Sequence, residues 1–262
     1  MTRLRDLMTP ASKGRYLLWR TGLLGDAVTV RLASGERIVL QRSMHMGLNV
    51  AYEIFISGTY RSPRPLDPGA IRRIVDVGAN AGFSVAFWSV NYPRARIDAF
   101  EPHPAHLAPL RRTVALNRLD ARATVYPAAV GVAPGSCELI SAGVCSTAIG
   151  VNERVGAARE LATVKAPVVD FFAAMNGDRI DLLKIDCEGA EYDLLMDPRF
   201  AALDAGALVM EWHATRAHPE ADREVIERLR QLRWEVIAQP GETREAIGGL
   251  GILRVGMVWA YR

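Results

Sequence analysis

Carboxylates and one imidazole stand at the ends of several short apolar runs in this sequence. Asp76 lies in the run I-V-D-V, Glu101 follows R-I-D-A-F, and Asp186 follows L-L-K-I. Glu211 and His213 close a fourth run, L-V-M-E-W-H. A carboxylate accepts hydrogen bonds from hydroxyl groups or ligates a hard cation, and a histidine takes up a proton near neutral pH. These five side chains are therefore the first candidates for ligand binding and acid–base chemistry.

The five side chains meet only if the apolar runs are strands of one parallel sheet. Short apolar runs alternate with helical patterns, as a parallel sheet requires, because each parallel strand needs a crossover before the next. The predicted strands are 74–77, 96–100, 123–126, 180–185, 207–210, 234–238 and 255–261, and the predicted helices are 83–90, 103–117, 170–175, 190–196 and 219–232. Ligands of open α/β sheets bind beyond the carboxyl ends of the strands, so we expect one shared crevice there.

A glycine-bearing turn follows the first of these strands. The string D-V-G-A-N-A-G places Gly78 and Gly82 between a strand and a helix, where a backbone can approach a nucleotide-like ligand. The spacing is G-x-x-x-G and not the dinucleotide pattern G-x-G-x-x-G, which disfavours an NAD or FAD site. Glu101 comes 19 residues after Gly82, where an acid can accept both hydroxyls of a ribose. A tight turn without a ligand is the alternative for the glycines alone.

The first 70 residues are predicted to form an extension ahead of this sheet. Two strands, Val28–Leu32 and Arg37–Leu40, flank a hairpin turn, and a helix is predicted over Val50–Ile56. Arg61–Gly69 contains three prolines and a glycine, as a linker does. We therefore predict a small N-terminal cap over residues 1–70 and a main domain over residues 71–262.

Composition disfavours several function classes. The chain carries 32 basic and 29 acidic residues, so its net charge of +3 predicts no extended surface for nucleic acid. Cys137, Cys145 and Cys187 have no paired spacing, which disfavours disulfides and zinc and favours a reduced, cytoplasmic protein. The apolar run Tyr16–Trp19 is too short to span a membrane.

Taken together, the motifs resemble the FkbM family of methyltransferases. The strings D-V-G-A-N-A-G, F-E-P-H-P, A-A-V-G and L-L-K-I-D-C-E-G-A-E occur in that family's order, with Asn117 between the second and third. The resemblance covers roughly residues 50–215 and includes E-I-F-I-S-G-T-Y, Glu53–Tyr60. It implies a Rossmann-like class I α/β fold, a mostly parallel seven-stranded sheet with one antiparallel strand and helices on both faces. Cys187 stands where the family more often has valine, and residues 131–163 align with nothing in it.

The resemblance also implies a cofactor, S-adenosylmethionine, lying over the carboxyl ends of the strands. By this likeness the methionine part of the cofactor contacts Asp76, Gly78, Asn80 and Gly82. The ribose contacts Glu101, with Pro102 beside it, and the adenine contacts Ala129 and Val130. Asp186 would lie near the sulfonium and the incoming acceptor.

Methyl transfer to an alcohol requires removal of the hydroxyl proton. The reaction is an in-line displacement, and an alcohol at neutral pH needs a base or a metal that acidifies it. We predict Asp186, Glu211 and His213 as catalytic residues, with His213 as a base; a packed or solvated loop histidine is the alternative. Asp186 and Glu211 could instead hold Mg²⁺ through oxygen ligands.

Four further residues are candidates for acceptor contacts, and four further histidines are not. The acceptor candidates are Glu53, Tyr60, Glu188 and Trp212. Glu188 has an alternative role, since acids in the first turn of a helix stabilise its dipole, and the aromatic residues have the alternative of core packing. Surface positions are expected for His45, His103, His106 and His218.

The predicted function is transfer of a methyl group from S-adenosylmethionine to a hydroxyl of a sugar, glycan or secondary metabolite. The alternatives are an RNA or protein methyltransferase, a nucleotide-binding oxidoreductase, and a binding module without turnover. The expected partner is a small-molecule or glycan acceptor, with no nucleic acid and no membrane span. The oligomeric state is left open, a homodimer included.

Overall fold

The computed structural model describes residues 8–32, 35–42, 50–142, 145–148, 163–187, 190–215, 217–239 and 254–262. The α-helices are α1 (Pro10–Arg20), α2 (Phe83–Asn91), α3 (Pro104–Leu116), α4 (Phe171–Met175), α5 (Glu191–Met196) and α6 (Ala221–Gln231). A π-helix spans Tyr52–Ser57 and a 3₁₀ helix spans Pro198–Ala202. The strands are β1 (Ala27–Arg31), β2 (Arg37–Gln41), β3 (Arg73–Val77), β4 (Arg96–Phe100), β5 (Ala123–Tyr126), β6 (Ala129–Gly131), β7 (Gly135–Ala142), β8 (Cys145–Ala148), β9 (Thr163–Asp170), β10 (Ile180–Ile185), β11 (Ala205–Ala214), β12 (Glu235–Ala238) and β13 (Arg254–Tyr261).

Seven strands form the central sheet in the order β12-β13-β11-β10-β3-β4-β5. Neighbours from β11 to β5 pair in parallel, and β13 is antiparallel to both β11 and β12. Six strands therefore point one way and β13 points the other. The predicted class I α/β fold is confirmed.

The sheet is buried on both faces, which explains its nearly continuous apolar strands. Successive residues of a strand point to opposite faces, so Ile74 and Val75 belong to different hydrophobic clusters. The first cluster contains Ile74 with Trp88 of α2 and Leu110 of α3. The second cluster contains Val75 with residues of α5 and α6, among them Val225. Helices thus cover both faces, as predicted.

The N-terminal residues pack against the first cluster. Strands β1 and β2 pair as an antiparallel hairpin, and Val30 and Leu40 belong to the same cluster as Trp88. Asn117 joins the hairpin to α3, since its Oδ1 accepts from Val39 N at 2.7 Å and its Nδ2 donates to Val39 O at 2.9 Å. The division of the chain at residue 70 stays a prediction.

Two segments differ from expectation. The predicted helix at 50–56 is a π-helix, because the N–H of Gly58 bonds to the carbonyl of Glu53, five residues earlier. In the irregular region after Gly131, β7 and β8 form a hairpin within a second sheet of order β6-β9-β7-β8. Among the described residues, no helix has the length and apolar character needed to cross a membrane.

Candidate active site

A cavity lies at the carboxyl ends of β3, β4, β10 and β11, where the sheet order predicts a crevice. Eleven of the predicted site residues line it. They are Glu53, Tyr60, Gly78, Asn80, Glu101, Pro102, Ala129, Val130, Asp186, Glu211 and His213. The strand ends bring together residues as far apart in sequence as Glu53 and His213.

Three of the predicted contact residues, Asp76, Gly82 and Trp212, do not line the cavity. Asp76 is fully buried beneath it and accepts a hydrogen bond from Trp88 Nε1 at 3.1 Å. Gly82 precedes α2, and a side chain there would come within 2.9 Å of Leu110. Trp212 packs in the second hydrophobic cluster. Direct contact with a ligand in this cavity is therefore not supported for these three, and Glu188 lies outside the described residues.

The turn after β3 is drawn tightly against the end of β10. Gly78 has a φ of +78°, and a Cβ on it would lie 1.8 Å from the carbonyl oxygen of Asp186. Only glycine allows both the left-handed backbone and this approach. The turn thereby places Gly78 and Asn80 in the cavity wall.

Glu101 is held rigidly at the end of β4. It is 4% exposed, and its carboxylate accepts from Asn80 N and His103 N, both at 2.8 Å. His106 Nδ1 lies 3.4 Å from the same carboxylate. A carboxylate has about four acceptor positions, so these contacts leave capacity for ligand hydroxyls.

The structure corrects the surface positions expected for two histidines. His103 is 5% exposed and caps α3, because its Nδ1 accepts from Ala105 N at 3.2 Å. Burial lowers the pKa of His103, and the neighbouring His106 lowers it further. His106 lines the cavity. His218 is partly exposed and pairs with Glu224 at 2.7 Å, and His45 lies outside the described residues.

Lys184 is a buried cation that the sequence analysis did not single out. Its Nζ lies 3.2 Å from Asp76 Oδ1 and 3.5 Å from Asp186 Oδ2, and the side chain is 1% exposed. The same Nζ donates to the carbonyl oxygens of Val77 at 3.0 Å and Gly78 at 2.5 Å. Burial alone would lower the pKa of Lys184, but the two carboxylates outweigh it and raise the pKa. Its position inside an apolar strand was the available signal, since a buried charge requires a partner.

Tyr60 connects the N-terminal extension to Asp186. Its hydroxyl donates to Asp186 Oδ2 at 2.6 Å, and burial raises the pKa of Tyr60 well above its ordinary value. Burial alone would raise the pKa of Asp186, but Lys184, His213 and the Tyr60 hydroxyl lower it overall. Asp186 is therefore ionised at neutral pH and is a weak proton acceptor.

Glu211 and His213 lie inside β11, which is longer than predicted. The strand continues past Met210 because it pairs with β13, with Glu211 opposite Met257 and His213 opposite Val255. Residues two apart in a strand share a face, so both side chains reach the cavity. One ligand atom from each of Asp186, Glu211 and His213 lies within 4.8 Å of the other two.

Glu191 is a second buried charge behind this group. It is fully buried, and its Oε1 lies 2.9 Å from His213 Nδ1 and 3.1 Å from His213 N. In the sequence, Glu191 shows only the pattern of an acid in the first turn of a helix, because its partner His213 is 22 residues away.

The comparisons with known proteins decide the family. A sequence model described as the Methyltransferase FkbM domain matches residues 76–234, more than half of the chain. The chain belongs to the FkbM methyltransferase family. This membership confirms the resemblance drawn from the motifs and supports methyl transfer as the activity.

Individual relatives are distant. Methyltransferase sdnD of Sordaria araneosa is 29% identical over 182 residues, which cover 57% of this chain and 70% of that protein. Methyltransferase 1 of Beauveria bassiana is 32% identical over 166 residues, covering 55% of this chain and 64% of that protein. The crystal structure of Methyltransferase FkbM from Methylobacillus flagellatus KT has 14% identity and a TM-score of 0.49, over 82% of this chain and 53% of that one.

Proposed function

We propose that this FkbM-family protein transfers the methyl group of S-adenosylmethionine to a hydroxyl group of a sugar, glycan or secondary metabolite. One observation carries the proposal: a single cavity has Glu101 on one side and Asp186, Glu211 and His213 on another. The first carboxylate suits the two hydroxyls of a ribose, and the second group suits a cationic sulfonium beside an alcohol.

The lining residues fit this cofactor. Glu101 is fixed by two backbone N–H groups and retains acceptor capacity for ribose hydroxyls. Gly78 and Asn80 line the cavity where the methionine part would lie, and Ala129 and Val130 offer apolar surface for an adenine. When bound, S-adenosylmethionine supplies an electrophilic methyl group and a sulfur leaving group.

The remaining step is removal of the acceptor's proton. Asp186 is ionised and already accepts from Tyr60, so it suits electrostatic stabilisation better than proton uptake. His213 reaches the cavity on the same face of β11 as Glu211, and an imidazole is well matched to general-base catalysis near neutral pH. We therefore assign His213 as the general base that takes up the proton of the acceptor hydroxyl.

A divalent cation is the second candidate for activating the hydroxyl. The proximity of Asp186, Glu211 and His213 favours it, and the two carboxylates are ligands that Mg²⁺ accepts. Lys184 opposes it, since its Nζ lies 3.5 Å from Asp186 and already supplies a positive charge.

Calorimetric titration with S-adenosylmethionine tests the proposal, with NAD in parallel and with Mg²⁺ present or absent. Glu101→Ala removes the ribose acceptor, and hydrogen bonds to a charged group contribute about 1.5–3 kcal/mol each. The loss of one or two such bonds raises the dissociation constant roughly 10-fold to 20,000-fold, because about 1.4 kcal/mol is a factor of ten.

Glu227→Ala is the matched control, since Glu227 is an exposed glutamate on α6 that does not line the cavity. It should leave binding unchanged. A folded wild-type protein that does not bind S-adenosylmethionine would refute the proposed function, and tight binding of NAD would restore the oxidoreductase alternative.

A further inference from the structure

We propose that Glu191 is a positioning residue that fixes the tautomer of His213 and so presents His213 Nε2 to the acceptor. The inference rests on the proposed function and deepens it. Glu191 lies in the first turn of α5, where an acid can simply stabilise the helix dipole, but its placement against β11 gives it a different role.

The geometry ties one carboxylate oxygen to two atoms of the same residue. Glu191 Oε1 lies 2.9 Å from His213 Nδ1 and 3.1 Å from the His213 backbone nitrogen. Both side chains are buried, with Glu191 at 0% and His213 at 3% exposure. Water cannot compete for these bonds, so the ring plane and its rotation are fixed from behind.

The chemistry of the partners decides which nitrogen carries the hydrogen. A carboxylate only accepts hydrogen bonds, so Nδ1 of His213 must be the donor. In a neutral imidazole the lone pair then lies on Nε2. His213 also lines the cavity, and we assign this nitrogen to the proton of the acceptor hydroxyl.

Cys187 gives the carboxylate a further donor on its other oxygen. The Sγ of Cys187 lies 3.7 Å from Glu191 Oε2, and burial raises the pKa of this thiol well above its ordinary value. The thiol therefore stays protonated and donates. Glu191 is held by donors on both of its oxygens, which keeps the oxygen facing His213 in place.

A helix-dipole role alone does not explain this arrangement. An acid in the first turn of a helix stabilises the dipole while remaining in water. Asp193 is such a residue in the same turn of α5, and it is exposed. Taking a carboxylate out of water is costly unless hydrogen bonds offset it, and two of the contacts of Glu191 are with His213 of β11.

Nuclear magnetic resonance of ¹⁵N-histidine-labelled full-length protein at pH 8 tests the proposal directly. His213→Asn assigns the resonances of this ring. We expect the wild-type ring to be neutral with hydrogen on Nδ1, and Glu191→Gln to shift it to a mixture of tautomers, because the amide can accept or donate. Asp193→Asn removes the same charge from the same helix turn and should leave the tautomer unchanged.

The outcomes separate this inference from the proposed function. A wild-type ring with hydrogen on Nε2, or with hydrogen on both nitrogens, overturns the role of Glu191, as does an unchanged tautomer in folded Glu191→Gln. The wild-type spectrum decides the matter even if that variant does not fold. Failure of the wild type to bind S-adenosylmethionine refutes the proposed function instead. The dissociation constant of Glu191→Gln for S-adenosylmethionine should stay within about threefold of the wild-type value, a change of less than about 1 kcal/mol.

Discussion

Lys184→Met removes the ammonium group between two carboxylates and keeps a side chain of comparable length. Asp76 is then left fully buried without its counter-charge, and Asp186 loses the positive charge that lies 3.5 Å from it. Removing one member of a buried ion pair costs about 3–5 kcal/mol, because the remaining charge is uncompensated. A protein of this kind has only about 5–15 kcal/mol of stability, so the variant should lose a large fraction of it.

Urea unfolding followed by circular dichroism measures this loss. Lys165→Met is the control, since Lys165 is exposed on β9 and its replacement should change the free energy of unfolding by no more than about 0.5 kcal/mol. The double variant Lys184→Met with Asp76→Asn removes the orphaned charge as well, and its amide oxygen can still accept from Trp88.

The double variant should therefore be more stable than the sum of the two single losses predicts, with a coupling of about 1–3 kcal/mol. A loss of less than about 1 kcal/mol in Lys184→Met would refute the reasoning. Additive losses would refute it too, since they would mean that Asp76 and Lys184 do not stabilise each other.

Two further predictions concern the turn after β3 and the start of α3. Gly78→Ala should abolish binding of S-adenosylmethionine and cost well beyond the roughly 1–2 kcal/mol of a left-handed backbone, because its Cβ meets Asp186 O. Gly177 has a φ of +72°, and a Cβ added there would have no atom within 4 Å, so Gly177→Ala measures the cost of the left-handed backbone alone in urea unfolding. Equal losses of stability in the two variants would contradict the close approach of Gly78 to the carbonyl oxygen of Asp186. His103 has a lowered pKa, so wild-type stability should fall as pH drops below about 6.5, where the unfolded chain takes up the proton first. His103→Asn keeps a cap for Ala105 and should weaken this pH dependence; identical urea midpoints against pH in both proteins would contradict it.

The sequence predicted the central sheet well because parallel strands buried on both faces are continuous apolar runs. The predicted bounds of β4 and β10 agree with the structure. The same logic placed Glu101 and Asp186 at the cavity, since the carboxyl ends of neighbouring parallel strands meet at one edge. No such rule reveals how far β11 extends, because its last four residues pair with β13, about 40 positions later in the chain.

The partners of the buried charges also could not be predicted from the sequence. Asp76 looked like a ligand-binding residue because it precedes the glycine turn, but its carboxylate is taken up by Lys184 and Trp88. For Glu191 the sequence left a helix-dipole role and a functional role equally open, since nothing in its local sequence indicates His213. Local patterns report which face or strand end a residue occupies, and the pairing of charges is decided by contacts between strands.

These pairings share a consequence for catalysis. Lys184 lines the cavity and is paired with the buried Asp76, and Glu191 is paired with His213. The charged groups of the cavity are therefore held in place by buried charges. Fixed charges stabilise a developing charge without the reorganisation that water would need, which is why such preorganisation is effective in a desolvated site. Burying them lowers the stability of the fold unless each charge is paired, because desolvation is costly. We therefore expect stability and activity to be coupled here: variants that break a pair should damage both, whereas removing an exposed charge such as that of Asp193 should damage neither.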